Sequence, residues 1–313
     1  MSKSRELSTA RKNKKDEFYT QLTDIEKEMV YYKNFFKDKV IYCNCDDPEW
    51  SNFFNYFKLN FDFFQLKKLI TTHFDYKKPT YKLEYDGKNI QKSPLRCNGD
   101  FRSDESIELL KQADIVITNP PFSLFREYIS QLIEHDKKFL IIGNQNAIST
   151  IEVFNYFKEN KVWYGVSISS GDREFRVPDS YELNAIGTRT DSQGNKYIRV
   201  KGVRWFTNLD HKKRHEEFIS YKPYNPEEYP KFDNYNAINI DKTKEIPMDY
   251  YEPMGVPITF LDKYNPDQFE ILDANNISIN GLRKKPHGLI KDKEGSVNGL
   301  CKYVRIVIRR KKQ

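Results

Sequence analysis

Short apolar runs separated by helical patterns fill the first half of the chain. Residues 39–45, 114–118 and 138–142 are rich in Val, Ile, Leu, Phe, Tyr and Cys, 68–73 reads Lys-Leu-Ile-Thr-Thr-His, and a further run lies at 162–166. Runs of that length read as strands buried on both faces of a parallel sheet. Between them, apolar residues recur at three- and four-residue steps. They include Ile25, Met29, Tyr32 and Phe36; Trp50, Phe53, Phe54 and Phe57; and Phe125, Tyr128, Ile129, Leu132 and Ile133. Residues 107–113 and 151–157 complete the set of predicted helices, and Ser103-Asp104-Glu105 has the composition of a helix start. The alternation over residues 24–166 predicts an α/β domain: a Rossmann-like parallel sheet with helices on both faces. Residues 77–95 are polar, with a turn at Asp86-Gly87, and predict a surface hairpin.

The pattern changes after that. Residues 169–210 predict antiparallel strands at 197–200 and 203–206, with a turn at Gln193-Gly194-Asn195. Residues 211–270 and 281–313 together hold eight of the 14 prolines, so loops and short strands are expected there. Residues 302–308 alternate as a strand with its Lys and Arg on one side. The expected organisation is a basic arm over 1–15, a sheet domain over 16–210 and an irregular or antiparallel region over 211–313.

Charge adds a second layer. Residues 1–15 carry six Lys/Arg and one acid, residues 281–313 carry eleven and two, and the net charge is +7. The ends therefore hold +14 and the middle −7. Basic ends around an acidic body point to phosphate contacts, and solvated tails are the alternative. No apolar run approaches the roughly 18 residues that span a bilayer, and the polar N-terminus is not a secretory signal. Cys43, Cys45, Cys97 and Cys301 offer neither a disulfide ladder nor a second close pair for zinc. Reduced thiols in a cytoplasmic protein without a metal are expected.

The chemistry concentrates at Asn119-Pro120-Pro121-Phe122, between the strand at 114–118 and the helix that follows. Ligands bind at such carboxyl ends in open α/β sheets. Two prolines stiffen the segment. They can hold the Asn119 side chain and the Pro120 carbonyl as two fixed acceptors, the pair that a planar aromatic amine needs to localise its lone pair. Phe122 would stack on the ring. An ordinary turn with a proline stop is the alternative. Asp75 is the acidic residue just past the second strand, where an acid can meet a bound ligand.

Taken with Asp16-Glu17-Phe18-Tyr19-Thr20-Gln21, Tyr42-Cys43-Asn44-Cys45-Asp46-Asp47-Pro48, Gly99-Asp100-Phe101-Arg102-Ser103 and residues 255–261, the tetrad gives the chain a family likeness. It resembles the EcoRI-type adenine-N6 DNA methyltransferases, of the γ order of amino methyltransferases, over nearly its full length. The resemblance implies S-adenosyl-L-methionine as cofactor and double-stranded DNA as substrate. It implies catalytic roles for Asn119, Pro120, Pro121 and Phe122. Tyr19 and Thr20 would close over the methionine end of the cofactor, with Asn44, Asp46, Asp47 and Pro48 in the turn after the first strand. Asp100 and Phe101 would lie near the cofactor's adenine, after a third strand. The usual glycine-rich turn after the first strand is missing, and Trp50 and Ser51 stand there instead.

The resemblance also implies catalysis on residues 16–210 and DNA recognition on 211–313. It suggests a GAATTC-like site and a cognate restriction endonuclease acting on the same site without a stable complex. The target adenine must leave the stack to be reached. Phe175 is the candidate for its second face, with a plain core role as the alternative. Other readings are methylation of cytosine N4, RNA adenine or a protein glutamine, and a non-catalytic nucleic-acid-binding subunit.

Overall fold

The protein was analysed as a computed structural model that describes residues 18–45, 47–49, 51–75, 79–169, 172–179, 181, 183, 187–274, 295–301 and 305–312. The chain forms two units, Met1–Ala147 with Gly165–Asp210, and Ile148–Tyr164 with His211–Gln313.

The first unit opens with α1 (Leu22–Met29), which buries Ile25, Glu28 and Met29. Every residue of β1 (Val40–Cys43) is buried, as an unbroken apolar run requires. The next helix, α2 (Asn52–Leu59), is capped by Ser51, whose hydroxyl accepts from the Phe53 amide at 3.1 Å. So the residue standing in place of a glycine is a helix cap. A short turn, α3 (Phe61–Phe64), leads to β2 (Lys68–Thr72), which pairs parallel with β1.

The predicted surface hairpin exists as β3 (Tyr81–Tyr85) and β4 (Ile90–Pro94), at the edge of the main sheet. β3 pairs antiparallel with β2, so the hairpin extends the main sheet. Residues 95–101 form no strand, and the hairpin takes the place expected of a third parallel strand. Then come α4 (Asp104–Gln112), capped by Ser103, β5 (Ile115–Thr118), α5 (Phe125–Glu134) and β6 (Lys138–Asn144). Two elements of the second unit, α6 (Ile151–Lys158) and β7 (Trp163–Tyr164), follow in the chain.

The first unit resumes with β8 (Asp172–Val177), β9 (Thr188–Thr190), β10 (Lys196–Lys201) and β11 (Val203–Thr207). β10 and β11 are separated only by Gly202, whose φ of +71° allows a sharp corner. They enter different sheets: β10 lies between β8 and β9, whereas β11 pairs antiparallel with β6. Across the first unit the main-sheet strands lie in the order β4-β3-β2-β1-β5-β6-β11. The parallel centre is as expected, but antiparallel edges make the sheet mixed. The order reverses at β1, which has β2 on one side and β5 on the other. The crevice for a ligand therefore lies beyond the ends of β1, β2 and β5.

In the second unit, β12 (Ile238–Asn239), β13 (Met254–Pro257), β14 (Phe269–Ala274) and β17 (Arg305–Arg310) form a sheet ordered β12-β13-β17-β14. A small hairpin joins β15 (Ser296–Val297) to β16 (Leu300–Cys301). Residues 148–164 belong with this unit, because α6 packs on β14. The expected one-sided basic strand near the C-terminus is corrected. β17 is a central strand, Ile306, Val307 and Ile308 are all buried, and Arg305 is only 6 % exposed. Its guanidinium donates to Asn239 Oδ1 at 3.3 Å and Asp241 Oδ1 at 3.2 Å. The basic arm 1–15, residues 281–294 and Lys302 lie outside the described residues.

Candidate active site

The ends of β1 and β5 are tied together by the Cys45 amide, which donates to Thr118 Oγ1 at 3.2 Å. Asn119 follows and is buried. Its Nδ2 donates to the carbonyl of Phe18 at 2.6 Å. A carbonyl oxygen can only accept, so the amide nitrogen must face it and Oδ1 must point the other way. Pro120 is buried, Pro121 sits at φ −54° and ψ 124°, and a tight turn over Phe122–Leu124 feeds α5. The tetrad is thus a fixed piece of backbone with an oriented side chain at its head.

Phe122 is half-buried in an aromatic group. Its ring meets Phe18 edge-on at 5.5 Å and Phe175 edge-on at 6.3 Å, and Phe18 and Phe175 lie 5.8 Å apart. Phe175 is 1 % exposed and belongs to the main core. Its plane stands at 88° to that of Phe122, so the two rings do not face each other across a gap that a base would fill. In this structure Phe175 packs in the core beside Phe122. Phe18, whose carbonyl and ring both touch the tetrad, lies in the Asp16–Gln21 segment that carries the family likeness, but the sequence assigned it no role of its own.

Next to Phe18, Tyr19 bridges Arg176 of β8 through a pair of backbone hydrogen bonds of 2.8 and 3.1 Å. Thr20 is buried, its carbonyl accepts from Asn52 Nδ2 at 2.7 Å, and its Oγ1 has no partner. This segment thereby reaches from the start of α2 to the tetrad.

Asn44, at the end of β1, is 2 % exposed. Its Oδ1 accepts a short hydrogen bond from the Tyr128 hydroxyl, while its Nδ2 is buried without a partner. Asp46 lies outside the described residues. Pro48 is buried, and Asp47 places Oδ2 3.7 Å from His73 Nε2. His73 sits directly after β2. It stacks on Tyr81 at 4.9 Å with its Nδ1 buried and unpartnered. Position immediately past a parallel strand was the available signal.

Asp75 is half-buried on the same loop, and its amide donates to the Asn98 carbonyl at 3.1 Å. Gly99, at φ +78°, lies so close to β2 that a Cβ there would stand 2.1 Å from the His73 carbonyl oxygen. Asp100 is gripped by Arg102, whose Nε and second guanidinium nitrogen donate to its two oxygens at 2.8 and 2.7 Å. Phe101 is buried edge-on against Tyr128 at 5.0 Å.

Buried polar atoms without partners are rare and call for a ligand or water. Here Asn44 Nδ2, Thr20 Oγ1 and His73 Nδ1 all belong to segments at the crevice. A donor, a hydroxyl and a ring nitrogen suit a polar organic molecule carrying hydroxyl, carboxylate and amine groups.

The family model described as adenine-specific methyltransferase EcoRI matches residues 6–311. The chain belongs to the EcoRI adenine-specific methyltransferase family. It is 49 % identical to the type II methyltransferase M.EcoRI of Escherichia coli over 98 % of this chain and 96 % of that protein. It is 42 % identical to M.MgeORF184P of Mycoplasma genitalium, over 97 % of this chain and 98 % of that protein. Identity to M.MpnI of Mycoplasma pneumoniae is 39 %, over the same shares. No solved structure matches the chain. As a member of the EcoRI family it is an enzyme of site-specific DNA adenine methylation, drawing on a methyl donor. Among the described residues no helix is long and apolar enough to cross a membrane.

Proposed function

We propose that this enzyme transfers a methyl group from S-adenosyl-L-methionine to the N6 amine of an adenine flipped out of double-stranded DNA. The site it reads is a short GAATTC-like sequence, and a restriction endonuclease cuts the same unmodified site. The names of its relatives, all type II methyltransferases, support the pairing with an endonuclease. In this reading the first unit binds cofactor and catalyses, and the region after residue 210 recognises DNA.

The observation that carries the chemistry is the hydrogen bond from Asn119 Nδ2 to the Phe18 carbonyl. It leaves Oδ1 as the group presented to a substrate. Asn119 Oδ1 and the Pro120 carbonyl then accept the two hydrogens of the adenine amine, returning electron density to its nitrogen. Phe122 supplies a flat apolar wall for the base. Tyr19, Thr20, Asn44, Asp46, Asp47, Pro48, Asp75, Asp100 and Phe101, joined by His73, hold the cofactor. When bound, the cofactor supplies a methyl group activated by a sulfonium. The protein acts by orientation and fixed dipoles, effects that are stronger in the transition state than in the ground state. One amine proton leaves after the nitrogen has gained its new bond, so no histidine base is required.

Asn119→Ala is expected to lose at least about a hundredfold in turnover, the usual cost of removing an aligned electrostatic partner. DNA affinity should stay near that of the wild type. Incorporation of tritiated methyl into plasmid DNA, with binding followed in parallel, decides the point. Near-normal turnover in the variant would sink the mechanism. Modification-sensitive sequencing of the product DNA gives the base and the recognition sequence together.

A further inference from the structure

The small sheet β8-β10-β9 has two unlike faces. Register sets Phe175 opposite Ile198 and Val177 opposite Lys196, and Phe175, Val177 and Ile198 are buried in the main core. Phe175 on this inner face touches Phe122 of the tetrad. Side chains alternate along a strand, so the neighbouring positions form the outer face. There the pairs are Arg176 with Tyr197 and Arg189, Glu174 with Arg199, and Asp172 with Lys201. Four cations therefore share the face with two carboxylates and one tyrosine.

One of those carboxylates is neutralised within the face. Arg189 donates to both Glu174 oxygens, at 2.8 and 2.5 Å, which holds the Glu174 carboxyl below its ordinary range. The same guanidinium lies 4.2 Å from the centre of the Tyr197 ring. With that pair set aside, Arg176, Arg199 and Lys201 stand against Asp172 and against Asp191, whose Oδ2 accepts from the Tyr197 hydroxyl at 3.1 Å. Arg199 and Lys201 are exposed. Tyr19 bridges the edge of this sheet at Arg176.

We propose that this outer face is a contact surface for the phosphate backbone of the substrate DNA, lying on the reverse side of the sheet whose inner face backs the catalytic Phe122. The substrate is a polyanion, and the face offers exposed cations on a rigid sheet, the arrangement that positions a duplex without reading its bases. The inference rests on the methyltransferase reading and assigns part of its substrate contact to the first unit rather than only to the region after residue 210.

The test is a salt titration of binding to a plasmid-derived duplex. Removing one cation that neutralises a phosphate should flatten the slope of log K against log salt by about 0.9. The Arg199→Ala/Lys201→Ala double variant should therefore flatten the slope by up to about 2. Its affinity should fall several-fold below that of the wild type at low salt and approach it at high salt. Its turnover at saturating DNA and its affinity for S-adenosyl-L-methionine should match the wild type, which separates a weakened DNA interface from a damaged site. Lys88→Ala, on the β3–β4 turn, serves as the control and should leave the slope unchanged. An unchanged slope and affinity in the double variant, or an equal change in Lys88→Ala, would overturn the proposal.

Discussion

Two glycines with nearly the same backbone conformation offer a controlled test of how tightly the crevice is built. Gly99 has φ +78° and Gly194 has φ +83°. An alanine at either position must adopt the left-handed region, at a cost of about 1 kcal/mol. Around Gly194 nothing lies within 4 Å of a new Cβ, so Gly194→Ala should cost only that. At Gly99 the Cβ would stand 2.1 Å from the His73 carbonyl oxygen and 3.1 Å from Phe74 Cα, both backbone atoms that no rotamer change can move. Restoring an ordinary contact requires roughly an ångström of displacement at the end of β2, and forced displacement of that kind costs about 1–3 kcal/mol more. Gly99→Ala should then destabilise by about 2–4 kcal/mol in all. Urea unfolding of the two variants and the wild type gives the comparison through their midpoints at constant slope. Because His73 and Asp100 lie on the displaced segments, Gly99→Ala should also raise KM for S-adenosyl-L-methionine, and Gly194→Ala should not. Equal destabilisation of the two variants would refute the close approach at Gly99.

Two further substitutions probe buried polar groups. Tyr128→Phe removes the hydroxyl that fixes the Asn44 amide; it should cost about 1–2 kcal/mol and raise KM for the methyl donor while DNA affinity, measured by anisotropy, stays put. Glu28 is fully buried and accepts from the amides of Val166 and Ser167 at 2.8 and 2.6 Å and from the Tyr32 hydroxyl at 2.9 Å. Glu28→Gln turns an amide NH₂ toward one of those donors and should destabilise by about 2 kcal/mol. Burial raises the Glu28 pKa from its ordinary value of 4.5. Between those two values the folded state binds more protons than the unfolded state, so this group's contribution is full below pH 4.5 and falls as pH climbs through the raised value. The stability gap between wild type and Glu28→Gln should be widest in acid and narrow upward, as urea midpoints across that range would show; a gap that widens with pH would contradict it.

The central strands were legible because burial on both faces leaves a mark that needs no partner to read: Val40 to Cys43 and Ile115 to Thr118 are apolar whatever they pair with. Asn119-Pro120-Pro121-Phe122 was legible for a similar reason, since two prolines constrain the backbone locally. What stayed hidden depends on pairing across long separations. Nothing in residues 81–94 states that β3 will join β2, and nothing between Val200 and Val203 states that the chain changes sheets at Gly202. Arg305 looked like a surface cation because its partners Asn239 and Asp241 are over sixty residues away. A still longer separation concealed the contact of Phe18, whose carbonyl meets the Asn119 amide about a hundred residues later.

The bond between Asn119 and Pro120 has a bearing on how the enzyme ages. Asparagine deamidates when the next backbone nitrogen attacks its side chain, a reaction that needs an N–H on that nitrogen. Proline has none, so the Asn119 amide is shielded from the commonest chemical route to aspartate. A carboxylate in its place would set a negative oxygen against the Phe18 carbonyl, where the amide now donates. The exposed Asn298-Gly299 turn of the second unit has no such shield. On long storage the chain should accumulate negative charge at that hairpin while the Asn119 amide stays intact.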